Sequence, residues 1–111
     1  MTPQEAAVRL DAALAALDRQ DETTEADSAP VELDQTSVGR LSRMDAMRVQ
    51  AMAMAGRQRR EMERRRIHAA LARIAAGDFG YCVNCGEPIA PRRLDLDPAL
   101  PNCVQCSSGG G

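Results

Sequence analysis

The sequence predicts a mainly α-helical fold that ends in a small module built around four cysteines. Only two of the 111 residues, Phe79 and Tyr81, are aromatic, and β-branched residues are few. Alanine, leucine and methionine must therefore do most of the packing, and these residues favour helices over a sheet. The four cysteines form two close pairs near the C-terminus.

The first helix is expected over residues 3–19. Thr2 can cap it, and Pro3 and Glu5 suit its first turn. Apolar residues then recur at spacings of three and four, as in a coiled-coil seam: Ala7, Leu10, Leu14 and Leu17. The polar and acidic residues 20–35 are predicted to form a linker.

A second, longer helix is expected over residues 36–76, because no proline lies between Val31 and Phe79 and Gly77 can end it. Its predicted apolar seam comprises Val38, Leu41, Met44 or Asp45, Val49, Met52, Ala55, Met62, Ile67, Leu71 and Ile74. The first helix, about 25 Å long, can cover only part of the second, about 60 Å long. The cysteine module, a second copy of the chain or a binding partner must cover the rest.

Charge is strongly segregated along the chain. Residues 1–35 carry a net charge of −7 and residues 36–77 a net charge of +7, so the two segments are predicted to pair. Six arginines of the second helix could contact nucleic-acid phosphates: Arg57, Arg59, Arg60, Arg64, Arg65 and Arg66. Glu61 and Glu63 reduce the net positive charge of these residues, and no aromatic side chains are spaced for base stacking. Both observations favour an ordinary solvent-exposed face. Five methionines of the same helix suit core filling or an adaptable interface: Met44, Met47, Met52, Met54 and Met62.

The cysteines, Cys82, Cys85, Cys103 and Cys106, form two C-x-x-C pairs with 17 residues between them. This spacing is typical of a structural zinc site with four thiolate ligands, which leaves no open position for catalysis. Gly86 suits the tight turn after the second cysteine, and four prolines stiffen a loop too short for a core of its own. Two disulfides, a redox dithiol and an iron–sulfur cluster are the competing interpretations. His68, the only histidine, is interpreted as an ordinary helix residue.

The sequence favours a cytoplasmic, non-enzymatic protein. The N-terminal residues lack the charges and apolar run of a secretory signal, and no stretch of 18 apolar residues could cross a membrane. We find no nucleophile–base pair, no glycine-rich phosphate loop and no open metal site.

Residues 74–106 resemble the zinc-finger signature of the DksA/TraR family of bacterial transcription regulators. The resemblance rests on the approach to the first cysteine (residues 77–80), the knuckle Cys-Gly-Glu-Pro-Ile (residues 85–89) and Arg92-Arg93-Leu94 after it. It implies an antiparallel helical hairpin, or coiled coil, over residues 1–77 and a C4 zinc finger over residues 78–106. From the sequence itself, residues 107–111 are predicted to form a flexible tail.

The resemblance also implies a function. Family members bind RNA polymerase directly through its secondary channel, without sequence-specific DNA contact, and the hairpin tip carries Asp-x-x-Asp-x-Ala. The counterpart here runs from Asp34 through Ser37 to Gly39, so only the first acid is kept. Two alternatives remain open, a zinc-stapled helical module that self-associates through the long helix and a basic-helix nucleic-acid binder.

Overall fold

The structure, a computed structural model, describes residues 1–28 and 40–108. The helices of this part of the chain are α1 (Pro3–Ser28), α2 (Arg40–Ala76), α3 (Pro91–Leu96) and α4 (Val104–Ser108). The mainly α-helical prediction is therefore confirmed. Within the described residues, no helix is both long and apolar enough to cross a membrane.

Helix α1 begins where the sequence predicts but ends later. The Thr2 hydroxyl accepts a hydrogen bond from the Glu5 amide, and the Thr2 amide donates to the Glu5 carboxylate, which forms a capping box. The predicted end at residue 19 is wrong, because the helix continues to Ser28. Composition marked these residues as linker, but ion pairs with α2 hold Asp18 and Asp21 in the helix.

The other predicted boundaries are closer to those of the structure. Helix α2 is described from Arg40, so residues 36–39 of the predicted helix lie outside the described residues. The proposed tip residues Asp34, Ser37 and Gly39 lie outside them as well. The predicted tail of residues 107–111 starts too early, because Ser107 and Ser108 belong to α4.

The two long helices pack antiparallel around a small apolar core at the base of the hairpin, the end near the termini of the described chain. Leu10 of α1 is buried against Ile67 and Ala70 of α2, together with Ala99 from the cysteine module. Ala13, Leu14, Leu17, Leu71 and Ile74 pack around this core. The predicted seams are therefore confirmed at the base, except that Ala6 is buried where the seam predicted Ala7.

The predicted seam of α2 is wrong farther from the base. Met44, Val49, Met52 and Met62 are all exposed. The face toward α1 instead presents Gly56, which is buried, and the half-buried Arg60 and Arg64. The contacts between the helices in this region are therefore polar, and the apolar pattern of the sequence could not predict them.

Ion pairs join the helices along this polar stretch. The Asp21 carboxylate binds both Arg60 and Arg64, and Arg64 also reaches Asp18 at 3.1 Å. Hydrogen bonds from Arg60 and then Arg64 lower the pKa of Asp21 below its usual value. The predicted pairing of the acidic first segment with the basic second segment is thus seen in these contacts.

Gly77 ends α2 with a positive φ of 82°. Its amide donates to the Ile74 carbonyl at 3.1 Å, and the Asp78 amide donates to the Arg73 carbonyl at 2.8 Å. This pair of bonds is a Schellman motif, which requires a left-handed residue at the Gly77 position.

We expect Gly77→Ala to lower the free energy of unfolding by about 1–2 kcal/mol, because a side chain disfavours the left-handed conformation. A Cβ at Gly77 would meet nothing within 4 Å, so the loss is conformational and not steric. Gly77→Asn is the matched control. Its free energy of unfolding should fall clearly less, since asparagine tolerates this conformation. Urea unfolding followed by circular dichroism measures both, and equal losses would contradict this explanation.

We expect Asp21→Asn to destabilise the hairpin in a pH-dependent way. The folded pKa of Asp21 lies below the reference value of 3.8, so its contribution is fully present above about pH 4 and is lost as the pH falls through the folded pKa. In thermal melts, the variant should have a lower melting temperature than wild type at pH 7, and this difference should be smaller at pH 3. Asp11→Asn is the control, because Asp11 is an exposed acid on α1 without an ion pair in the described structure. This substitution should leave the melting temperature unchanged at both pH values.

Candidate metal centre

The first cysteine pair lies in a tight turn that backbone hydrogen bonds hold together. The Gly86 amide donates to the Cys82 carbonyl at 2.9 Å, and the Cys82 amide donates to the Glu87 carbonyl at 2.8 Å. Gly86 has a φ of 75°, as the sequence predicted for the residue after the second cysteine. An antiparallel bridge between Tyr81 and Pro88 closes the turn, so Cys82 and Cys85 lie on one short loop.

The second pair lies at the start of α4. Cys103 directly precedes the helix and Cys106 is in its first turn, where the Ser107 amide donates to the Cys103 carbonyl at 3.0 Å. A bond of 2.9 Å from the Val83 amide to the Pro101 carbonyl ties the two halves of the module together. The loop and the helix therefore present their cysteines to the same point.

The four sulfurs converge. All four Sγ atoms lie within 4.8 Å of one another, and the Cys85 and Cys103 sulfurs are 3.7 Å apart. Zinc with four sulfur ligands at about 2.3 Å requires tetrahedral edges of about 3.8 Å. The cluster thus fits one four-coordinate zinc ion. None of the four cysteines forms a disulfide.

The electrostatics of the cluster also suit a cation. Backbone amides, first that of Cys103 and then those of Cys85 and Asn84, lower the pKa of the Cys82 thiol to about 6. The neighbouring sulfurs of Cys82, Cys103 and Cys85 raise the pKa of Cys106 to about 12. One thiolate therefore forms readily, but further negative charge at this point requires a positive ion.

The module has a small core of its own, which the sequence did not predict. Ile89 and Leu94 are buried beside Cys82, and Phe79 packs against them. Leu94 lies on α3, in the loop that we expected to be without a core. Pro91 occupies the start of α3, where its fixed φ favours the helix. The metal therefore supplements this core and does not replace it entirely.

A docking segment, residues 95–100, attaches the module to the base of the hairpin. Ala99 is buried in the hairpin core, and Arg73 donates to its carbonyl at 3.3 Å. The Asp97 carboxylate binds Arg66 at 2.8 Å, and Arg9 of α1 donates to the Asp95 carbonyl at 2.8 Å. Because both long helices contribute a contact, the module is fixed to the hairpin as one unit.

We did not predict the role of the docking segment from the sequence, although its Asp-Pro pair indicates a turn. The Asp97 carboxylate accepts a hydrogen bond from the Ala99 amide at 3.1 Å, which is the Asx turn that an Asp-Pro sequence favours. His68 is exposed on α2 and is not among the clustered metal-binding side chains, in agreement with its interpretation as an ordinary helix residue.

Comparison with known proteins agrees with this geometry. Residues 77–108 match the family model described as the prokaryotic dksA/traR C4-type zinc finger. Over 58 residues, the chain is 34% identical to the RNA polymerase-binding transcription factor DksA of Haemophilus influenzae and 31% identical to the factor of the same name from Escherichia coli K12. These alignments cover 52% of this chain but only 40% and 38% of the two relatives.

The fold as a whole matches a solved structure. The transcription factor DksA2 from Pseudomonas aeruginosa superposes with a TM-score of 0.80 over 97% of this chain and 81% of that chain. The sequences are 24% identical in this comparison, so the likeness concerns the fold. This chain therefore shares its overall fold with DksA2.

The four converging sulfurs and the matched finger mean that the module is a C4 zinc finger with one structural Zn²⁺. The finger of this chain is thus similar in sequence to the dksA/traR C4-type zinc finger and to DksA relatives, and the fold of the chain is similar to that of DksA2.

Proposed function

We propose that this protein is a transcription regulator that binds RNA polymerase directly and does not act as an enzyme. The observation that carries the proposal is the docking of the zinc finger onto both helices of the hairpin base, through Ala99, Asp97 and Asp95. A hairpin fixed at one end can present its other end to a partner. Two relatives are named RNA polymerase-binding transcription factors, which supports polymerase as that partner.

The dimensions of the hairpin suit insertion into a channel. Helix α2 has 37 residues and is therefore about 55 Å long. The finger docks at Arg66, which lies about 39 Å along the helix from Arg40. Ser28 of α1 and Arg40 of α2 mark the end of the hairpin away from the finger. We propose that this end enters the secondary channel of the polymerase.

We propose Asp34, Ser37 and Gly39 as the contact residues of this end. Of these, Asp34 matches the first acid of the family pattern Asp-x-x-Asp-x-Ala. A carboxylate suits contact with a bound magnesium ion or with basic side chains. Ser37 is a polar residue without charge. The regulator would therefore act with one acid where the family pattern has two.

Sequence-specific recognition of DNA is not part of the proposal. Arg60, Arg64 and Arg66 each bind an acidic side chain of the same chain. These arginines are thus engaged in the fold. A polymerase partner also agrees with the cytoplasmic location expected from the sequence.

The polymerase proposal is tested with the full-length, zinc-loaded protein and core RNA polymerase. We expect wild type to bind, and Asp34→Ala to weaken binding by about 1–3 kcal/mol, that is, roughly 5- to 150-fold. Asp11→Ala, an exposed acid on α1 near the finger, is the matched control and should bind as wild type does. Failure of wild type to bind at micromolar concentration would contradict the proposed partner.

The location of the contact is tested by replacing Ser37 with a photo-crosslinking amino acid. We expect crosslinks to polymerase residues that line the secondary channel. Crosslinks to the outer surface of the polymerase, or to promoter DNA, would contradict insertion while leaving direct binding intact.

Removal of zinc should release the finger without melting the hairpin. Metal binding and folding are coupled in small zinc modules, whereas the hairpin has its own apolar core and ion pairs. We expect chelation under reducing conditions to abolish hydrogen-exchange protection at the Val83 and Ile89 amides, while most helical circular dichroism remains. His68→Ala should keep one zinc per chain, as a control for a histidine outside the cluster. Full loss of helix on chelation, or unchanged exchange, would contradict this separation.

A further inference from the structure

The face of α2 that points away from α1 carries an apolar stripe with coiled-coil spacing. Successive members are three, four, three, four and four residues apart. We call this stripe the outer seam: Met44, Met47, Ala51, Met54, Gln58 and Met62. All six side chains are exposed, and those of the four methionines are between 58% and 68% accessible.

The outer seam is distinct from the face that packs against α1. Gly56, Arg60 and Ile67 define the packed face, because they are buried or form the contacts with α1. Met54 precedes Gly56 by two residues, which places them about 200° apart around the helix. No described residue of α1 therefore covers the outer seam.

Two rows of arginine flank the outer seam. Arg43 and Arg57 lie on one side and Arg48 and Arg59 on the other, from their positions around the helix. All four side chains are exposed, and none forms an ion pair within the described residues. Residues 43–59 contain Asp45 as their only acid, which gives this stretch a net charge of +3.

We propose that the outer seam is a docking surface for an acidic amphipathic helix of another protein. A partner helix with apolar residues at spacings of three and four would bury the methionines, whose flexible side chains adapt to different shapes. Acidic residues beside its apolar stripe would meet the two arginine rows. Apolar and charged complementarity thus select the same class of partner.

The same observations disfavour two other occupants. A second copy of this chain would bring its own arginine rows against those of the first, which repel each other. Nucleic acid would satisfy the arginines, but it would cover the methionines with phosphate and sugar, and residues 40–76 contain no aromatic side chain for stacking. An acidic protein helix satisfies both parts of the surface.

The proposal concerns a face of α2 and does not depend on polymerase binding at the far end of the hairpin. Its test uses the full-length, zinc-loaded protein and a synthetic helical peptide of about 28 residues, with leucines at spacings of three and four flanked by glutamates. Isothermal titration calorimetry measures the affinity. A peptide with lysines in place of the glutamates should bind at least about tenfold more weakly.

Substitutions on and beside the outer seam test where the peptide binds. Met47→Gln combined with Met54→Gln should weaken binding of the glutamate peptide by about tenfold or more. Met52→Gln is the matched control, because Met52 is 70% exposed on the same stretch of α2 but lies off the outer seam. It should change the affinity by less than about twofold. All of these side chains are exposed, so circular dichroism should show unchanged folding.

Three results would overturn the proposal. Equal effects of the seam variant and Met52→Gln would show that the peptide binds elsewhere. Concentration-dependent dimers in sedimentation, abolished by the seam variant, would assign the surface to a second copy of the chain. Binding of random duplex DNA that displaces the peptide and is unaffected by the seam variant would assign the arginine rows to nucleic acid.

Discussion

The convergence of four cysteine thiolates on one zinc ion is the interaction on which the fold of the finger and its attachment to the hairpin depend. The two pairs belong to different local structures, a hydrogen-bonded turn and the start of α4, and one ion joins them. That link closes the loop between the pairs and keeps Ile89 and Leu94 covered. Neighbouring sulfurs raise the pKa of Cys106, so the cluster favours a bound cation over four free thiolates. The metal and the small apolar core of the finger therefore stabilise it together.

Closure of the finger has a consequence for the hairpin. The docking segment, residues 95–100, lies inside the closed loop and reaches both long helices, with Ala99 in their shared core and Asp97 bound to Arg66. The exposed ion pair itself contributes at most about 1 kcal/mol, so the buried alanine and the closed loop provide most of the attachment. One end of the hairpin is therefore fixed. Beyond this base the helices are held by Asp21 and its arginines, and the opposite face of α2 remains open to a partner.

Features set by local chemistry were predictable from the sequence. The cysteine spacing predicted the metal cluster, Thr2 and Glu5 marked the start of α1, and Gly77 marked the end of α2. Features set by distant partners were not. The continuation of α1 past residue 19 depends on arginines about forty positions later, and the docking segment depends on a core built from both helices. Apolar periodicity also misassigned the middle of α2, because its packed face there is glycine and arginine while its methionines face outward.

The most direct test of the central claim is X-ray absorption spectroscopy at the zinc edge on freshly purified, reduced protein. We expect one zinc per chain, surrounded by four sulfur atoms at about 2.3 Å, with no nitrogen or oxygen in the first coordination shell. Cys106→Ser should replace one sulfur scatterer by oxygen or nitrogen, or lose the metal. A wild-type spectrum that requires a light-atom ligand, or a preparation without zinc, would contradict the closed tetrathiolate site on which the fold of the finger and its attachment to the hairpin depend.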